Sequence, residues 1–262
     1  MKSISSLHNK NIKQLLQLQE KSRTRRKEGL FVVEGLREIN LAIAAGYMFT
    51  EIYTCPEVFS AEHIPHINTG NATLINISQE VYQKIAYRNS TEGIIGIAKN
   101  KPHLLSAIEL PENPLILIAE APEKPGNIGA LLRTADAANV DAFFIANPRT
   151  DLYNPNIIRS SVGCVFTNNI AMASSAEIIA FLKEKNINIY TAILQKAKNY
   201  TSQNYKEASA IVVGTEADGL TDEWRTAATQ NIKIPMEGKI DSMNVSVAAG
   251  ILIFEAKRQR NN

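Results

Sequence analysis

The sequence predicts an α/β protein of two domains, and three observations carry that expectation. Short apolar β-type runs alternate with helical segments along nearly the whole chain, as in sheets whose strands are joined by crossover helices. A proline-bearing stretch, KNKPHLLSAIELPENP (99–114), interrupts the alternation and separates two series of elements. In the second series the apolar runs end in polar, glycine-bearing loops, the usual ligand position in open α/β sheets. The expected division is 1–98 for a small N-terminal α/β domain, 99–114 for a linker and 115–262 for a larger C-terminal α/β domain.

The first series opens with a helical stretch, 11–28, in which Ile12, Leu15 and Leu16 share a face. Its second half carries Lys21, Arg23, Arg25, Arg26 and Lys27. A solvated helix face and a phosphate-binding face both account for such a run. A strand at 30–33, a helix at 36–45 closed by Gly46, strands at 51–55 and 73–77, a helix at 79–87 and a strand at 93–98 complete this part.

The second series begins with a strand at 115–119, a helix at 127–139 and a strand at 142–146. A polar loop through Tyr153, a helix near 156–162 and a strand near 169–172 follow. Ser174 and Glu177 form a capping box for the next helix. Strands are expected at 188–194, 211–213 and 232–236; Pro235 keeps its own peptide out of a fully paired central position. Ser242 and Asn244 stand at the N-cap of a long helix starting near Val245.

Composition narrows the chemistry. The net charge is only +2, so nucleic-acid binding must come from local patches rather than bulk charge. Cys55 and Cys164 are the two cysteines and lie far apart, so neither a disulfide framework nor a zinc site is expected and a reducing cytoplasm fits. The N-terminal stretch MKSISSLHNK lacks a signal peptide's apolar core, and the longest apolar run, 245–254, is too short to span a bilayer. Neither GxxxxGK[ST] nor GxGxxG occurs. All four histidines precede residue 104, far from the C-terminal loops, so a Ser–His–Asp arrangement is not expected there. His63 and His66 have no partners at ligand spacing, and no metal is expected. What remains among the glycine-bearing loops is an arginine, a glutamate, a serine and an asparagine. On the 127–139 helix, Ile128, Leu131, Leu132 and Ala135 form the apolar stripe and Arg133 points away from it. Such a set suits binding of a polar ligand and stabilisation of charge better than covalent catalysis.

Three segments, KPGNIGALLRTADA, VVGTEADGL and IPMEGKIDSMNVSVAAGIL, resemble in order and spacing the three motifs of the SpoU (TrmH-type) family of RNA 2′-O-ribose methyltransferases, of the SPOUT superfamily. The likeness spans about 115–258. The opening KNIKQLLQLQEKSRTRRKEGLFVVEG is similar to the substrate-binding domain of many members, itself similar to small RNA-binding ribosomal proteins. The resemblance implies a SPOUT-type α/β domain with a deep trefoil knot, a homodimer, a cytoplasmic location, and methylation of a ribose 2′-hydroxyl in structured RNA, ribosomal before transfer RNA. Related readings are a base methyltransferase of the same fold and a non-catalytic RNA- or ribosome-binding protein.

By the same resemblance Asn127, Arg133, Glu216, Ser242 and Asn244 match functional positions. S-adenosylmethionine is expected against Gly214, Thr215, Glu216, Gly219 and Leu220, against Ile234, Pro235 and Met236, and against Ser242, Met243 and Val245. RNA contacts are expected from Arg23, Arg25, Arg26, Lys27 and Arg159. Met243 replaces the leucine usual in the family, a swap of similar volume. Asn139 closes the first motif where glycine is common, and asparagine tolerates the left-handed conformation such a position needs.

Overall fold

Two sheets organise the chain, and they differ in strand direction. The computed structural model describes residues 2–60, 62, 69–87, 92–215, 218–239 and 242–261. It divides into two compact units, Met1–Pro102 with Asp151–Thr167, and His103–Thr150 with Asn168–Asn262.

In the first unit the strands are β1 (Lys2–Ile4), β2 (Leu30–Glu34), β3 (Phe49–Thr54), β4 (Thr73–Ile77) and β5 (Ile94–Lys99), and the order across the sheet is β1-β4-β3-β5-β2. β1, β4 and β3 run parallel, while β5 pairs antiparallel with both β3 and β2. Helices α1 (Lys10–Glu20) and α4 (Gln79–Ile85) cover one face: Ile12, Leu15, Leu18, Val81, Tyr82 and Ile85 pack against Val32, Tyr53, Ile75 and Ile97. Helix α3 (Leu36–Ala44) buries Ile39 and Ala42.

The helix expected over 11–28 is two helices. Lys21 has an extended backbone, and α2 (Ser22–Glu28) starts after it. The break has a partner that satisfies it. Buried Arg25 donates from Nη1 to the carbonyls of Leu18 and Gln19 at 2.6 and 3.0 Å, capping groups that α1 leaves without intrahelical donors.

Residues 151–167 pack with this first compact unit. The reason is apolar and ionic together. Helix α6 (Pro155–Ser160) buries Ile157 and Ile158. Tyr153 stacks on Phe31 with centroids 4.1 Å apart, and Phe166 meets the Tyr47 ring edge-on at 5.1 Å. The Tyr47 and Tyr153 hydroxyls lie 3.1 Å apart, and burial pushes both phenols above their ordinary range. Asp151 pairs with the Arg25 guanidinium.

The second unit holds β6 (Leu115–Glu120), β7 (Ala142–Ala146), β8 (Ile170–Ala173), β9 (Asn188–Ala192), β10 (Lys198–Asn199), β11 (Ser209–Val213) and β12 (Gln230–Lys233) in the order β10-β12-β9-β11-β6-β7-β8, every pair parallel. β6, β7 and β11 are buried along their whole length, the mark of parallel strands covered on both faces. One face packs Ile116, Ile118, Phe144 and Val212 with Trp224 and Leu182, which come from α8 (Asp222–Ala227) and α7 (Ser175–Glu184). Helices α5 (Pro125–Ala137) and α9 (Val245–Arg260) pack on each other, and α9 also packs on β6 and β11. β12 ends at Lys233, before Pro235, because proline offers no N–H to continue the ladder.

Candidate functional site

The site begins at the carboxyl end of β11. Gly214 leads into a loop that closes on itself: the Thr215 and Gly219 backbones exchange hydrogen bonds of 3.2 and 3.1 Å, and the Asp218 N–H donates to Thr215 Oγ1 at 3.0 Å. A side chain at Gly214 would not fit, since its Cβ would lie 2.3 Å from the Gly219 carbonyl carbon. Gly219 itself has φ +68°. Glu216 lies outside the described residues.

This loop is anchored by a residue that the sequence reading did not single out. Glu120, at the end of β6, is only 2% exposed, and its carboxylate accepts from Thr221 N–H at 2.9 Å and Thr221 Oγ1 at 2.7 Å. It also accepts from Ser175 Oγ, which in turn receives the Trp224 indole N–H at 2.8 Å. A carboxylate this buried is kept by such bonds, and here they tie the loop's exit to the adjacent strand. The available signal was a lone charge closing an otherwise apolar run, Leu115–Glu120.

Two loops from distant parts of the sequence meet beside it. Asn244 caps α9, accepting from the Ser246 N–H at 3.0 Å and the Ser246 hydroxyl at 2.6 Å. Its side-chain NH₂ donates to Asn127 Oδ1 at 3.2 Å, although the two residues are 117 positions apart. Asn127 sits in the first turn of α5, which starts two residues before the expected 127 because Pro125 occupies N1.

Clefts open beside this pair. One is lined by Asn127, Leu131, Gly214, Thr215 and Val245 among others. Another has walls from Ile193, Leu194, Ile234, Met236, Ser242 and Met243. A third shares Gly214, Thr215 and Val245 with the first and Ser242 and Met243 with the second, and adds Asn244. Of the remaining residues expected to hold the donor, Leu220 is buried at 1% exposure in the core beside Trp224 and presents no side chain to these clefts. Pro235 lines none of the three.

Arg133 is not brought to the pair. It is exposed on α5, six residues after Asn127, which is roughly 9 Å along the axis and about 240° around it. Among the described residues its guanidinium makes no hydrogen bond or ion pair.

The basic run divides in a way that spacing did not foresee. Arg23, Arg26 and Lys27 are exposed on α2, whereas Arg25 is 4% exposed and committed to Asp151 and the end of α1. The sequence expects an RNA contact from Arg25; its guanidinium is instead buried, with Nε on Asp151 and Nη1 on the Leu18 and Gln19 carbonyls, and is not presented on the surface as those of Arg23 and Arg26 are. Arg159 is exposed on α6. Among the described residues, no three His, Cys, Asp or Glu side chains come together as a metal-ligand set, and no helix is long and apolar enough to cross a membrane.

Comparison with known proteins bears on both units. A family model described as the SpoU rRNA methylase family matches residues 114–254, and one described as an MRM3-like substrate binding domain matches residues 9–96. The chain is 26% identical to a 23S rRNA (guanosine-2′-O)-methyltransferase of Bacillus subtilis over 98% of its own length and 100% of the relative's. The crystal structure of an RNA 2′-O ribose methyltransferase superposes with a TM-score of 0.86 at 35% identity, covering 99% of this chain and 100% of the other. An AdoMet-bound rRNA methyltransferase from Sinorhizobium meliloti gives a TM-score of 0.90 at 26% identity, over 98% and 97% of the two chains.

Proposed function

The chain belongs to the SpoU rRNA methylase family, and from that premise we propose that it methylates a ribose 2′-hydroxyl of ribosomal RNA with S-adenosylmethionine as donor. The observation that carries this reading is the Asn127–Asn244 bond, which joins the first and third motifs at the mouth of the clefts below β11.

The residues present suit the donor. The wall of Ile234, Met236 and Met243 offers apolar surface for a flat heterocycle, while Gly214 offers backbone at a point too tight for a side chain. Gly214, Thr215, Ile234, Met236, Ser242, Met243 and Val245 would hold it. When bound, S-adenosylmethionine supplies a methyl carbon made electrophilic by its sulfonium. The chain's own task is to present the 2′-hydroxyl in line with that carbon and to stabilise the negative charge growing on the attacking oxygen. Asn127 and Asn244 hold the two loops in register, and Ser242 positions substrate at the edge of the cleft. Arg133 supplies the positive charge. Its planar fork suits an alkoxide and an adjacent phosphate together. Glu216 is assigned to orienting the loop or Arg133.

A homodimer belongs to the same reading. Helix α9 is apolar on two sides: Ala249, Leu252, Ile253 and Ala256 are buried, yet Val247 and Phe254 remain 53% and 51% exposed on another face. A second apolar stripe on a helix already packed on its own sheet is normally covered as well, and a second copy of α9 would cover this one. That arrangement also offers Arg133 a way into a site, the partner's, that its own helix denies it. The trefoil knot is part of the proposal; it accords with a chain that leaves the β12 side of the sheet and returns through α9 to pack on β6 and β11. A cytoplasmic location follows from a ribosomal substrate.

The deciding experiment maps 2′-O-methyl groups in total RNA from cells with and without the gene, alongside calorimetry of donor binding. One ribosomal position losing its methyl group is the expected result. Unchanged maps together with absent donor binding would refute the reading.

A further inference from the structure

Within the first unit, Tyr87 is an aromatic side chain left 47% exposed just past the end of α4. The guanidinium of Arg159, on α6, lies over its ring at 5.7 Å from the centroid. The chain beneath the ring is fixed on two sides. The Tyr87 N–H donates to Glu34 Oε2 at 2.9 Å, and the Gln19 side chain donates to the Ile85 carbonyl at 2.7 Å. A small dimple of about 20 Å³ opens beside the ring, with Val32, Pro155 and Ile158 as its apolar lining and Gln19 and Glu34 as its polar groups.

We propose that Tyr87 and Arg159 form a stacking platform for one unpaired nucleobase of the RNA substrate. An aromatic face, a guanidinium plane and nearby amide and carboxylate groups are what a splayed-out base uses: two π-type surfaces to stack on and hydrogen-bonding atoms at its edge. The cations that such a strand needs are close along the chain. Gln19 lines the dimple, its carbonyl accepts from Arg25 at the α1–α2 break, and α2 then carries exposed Arg23, Arg26 and Lys27. The cations hold phosphates without regard to sequence; the platform adds a contact to a base. A protein partner would call for a broader apolar patch than a single ring. The inference rests on the RNA-modifying reading above and gives its substrate-binding unit a specific contact.

The test uses the full chain and a single-stranded RNA of about 12 nucleotides carrying 2-aminopurine, whose fluorescence is quenched on stacking, at low salt. Wild-type protein should quench the probe, and Tyr87→Phe should keep the quenching because the ring is retained. Tyr87→Ala should abolish it and weaken binding about tenfold, with the salt dependence unchanged because the phenol meets no phosphate. A denaturant unfolding midpoint equal to wild type in Tyr87→Ala would show that the variant is folded. Three results would overturn the platform: no quenching by wild-type protein, equal quenching and affinity in Tyr87→Ala, or equal loss in Tyr87→Phe and Tyr87→Ala. Any of these leaves the methyltransferase reading standing if donor binding and rRNA methylation persist. Absence of those two activities would defeat that reading whatever the probe shows.

Discussion

The two units place their chemistry in opposite ways. In the second, every strand of the sheet runs parallel, so the loops after β6, β11 and β12 all emerge at one edge and converge on Asn127 and Asn244. The first unit has a mixed sheet, and its exposed cations and aromatic platform sit on the helices α2 and α6 and on the end of α4. A parallel sheet gathers loops into a cleft by construction. A mixed sheet has no such edge, and its ligand-facing residues must be supplied by whatever packs on its surface. Here some of them come from residues 151–167, more than fifty positions downstream of β5.

The sharpest way to break this contrast is at the ion pair that fastens the borrowed segment. Arg25→Ala should cost roughly 3–5 kcal/mol of stability, since it strands a mostly buried Asp151 and leaves two α1 carbonyls without a donor. Denaturant unfolding measures this, with the neighbouring exposed Arg26→Ala as the near-neutral comparison. A stable Arg25→Ala that had lost only RNA affinity would return Arg25 to the surface role expected from sequence.

Arg133→Ala asks the same of the second unit. No part of the core depends on the side chain, so donor affinity should stay within a few-fold. Methyl transfer should fall by about 100-fold, the scale seen when one preorganised charge-stabilising donor is lost. Single-turnover rates at saturating donor and RNA isolate that step. A near-normal rate would leave Arg133 an ordinary surface arginine. A smaller effect is expected at Gly214→Ala. The added carbon collides with the Gly219 backbone, and about 1–3 kcal/mol of strain should weaken donor binding by roughly tenfold in calorimetry while RNA affinity holds. Unchanged donor affinity would mean that the loop does not shape the donor site.

The mildest test returns to the first unit. Neutralising Arg23, Arg26 and Lys27 together should lower the log–log salt slope of RNA binding by roughly 0.7–0.9 per lost contact. An unaltered slope would make α2 a solvated helix.

The alternation of strands and helices, the Asn244 cap and the glycine-bearing loops could all be read from sequence, because each depends on neighbours a few residues apart. What escaped reading depends on distance. Nothing within 11–28 says that the helix breaks at Lys21; the reason is a guanidinium folded back onto Leu18 and Gln19 and bonded to Asp151. Glu120 lay just beyond the strand expected at 115–119 and drew no role, since its partners Thr221 and Ser175 lie 101 and 55 residues away. Tyr87 read as the last residue of a helix, and only the fold sets it beneath Arg159.

The attachment of residues 151–167 to the first unit also fixes an order of events during synthesis. When Pro102 leaves the ribosome, the sheet of the first unit is complete, but Phe31 and Tyr47 still lack Tyr153 and Phe166. Those residues emerge only after β6, α5 and β7 have been made. At about 5–20 residues per second this is a wait of several seconds with an aromatic surface uncovered. The first unit thus completes its aromatic packing only after the opening elements of the second have been made.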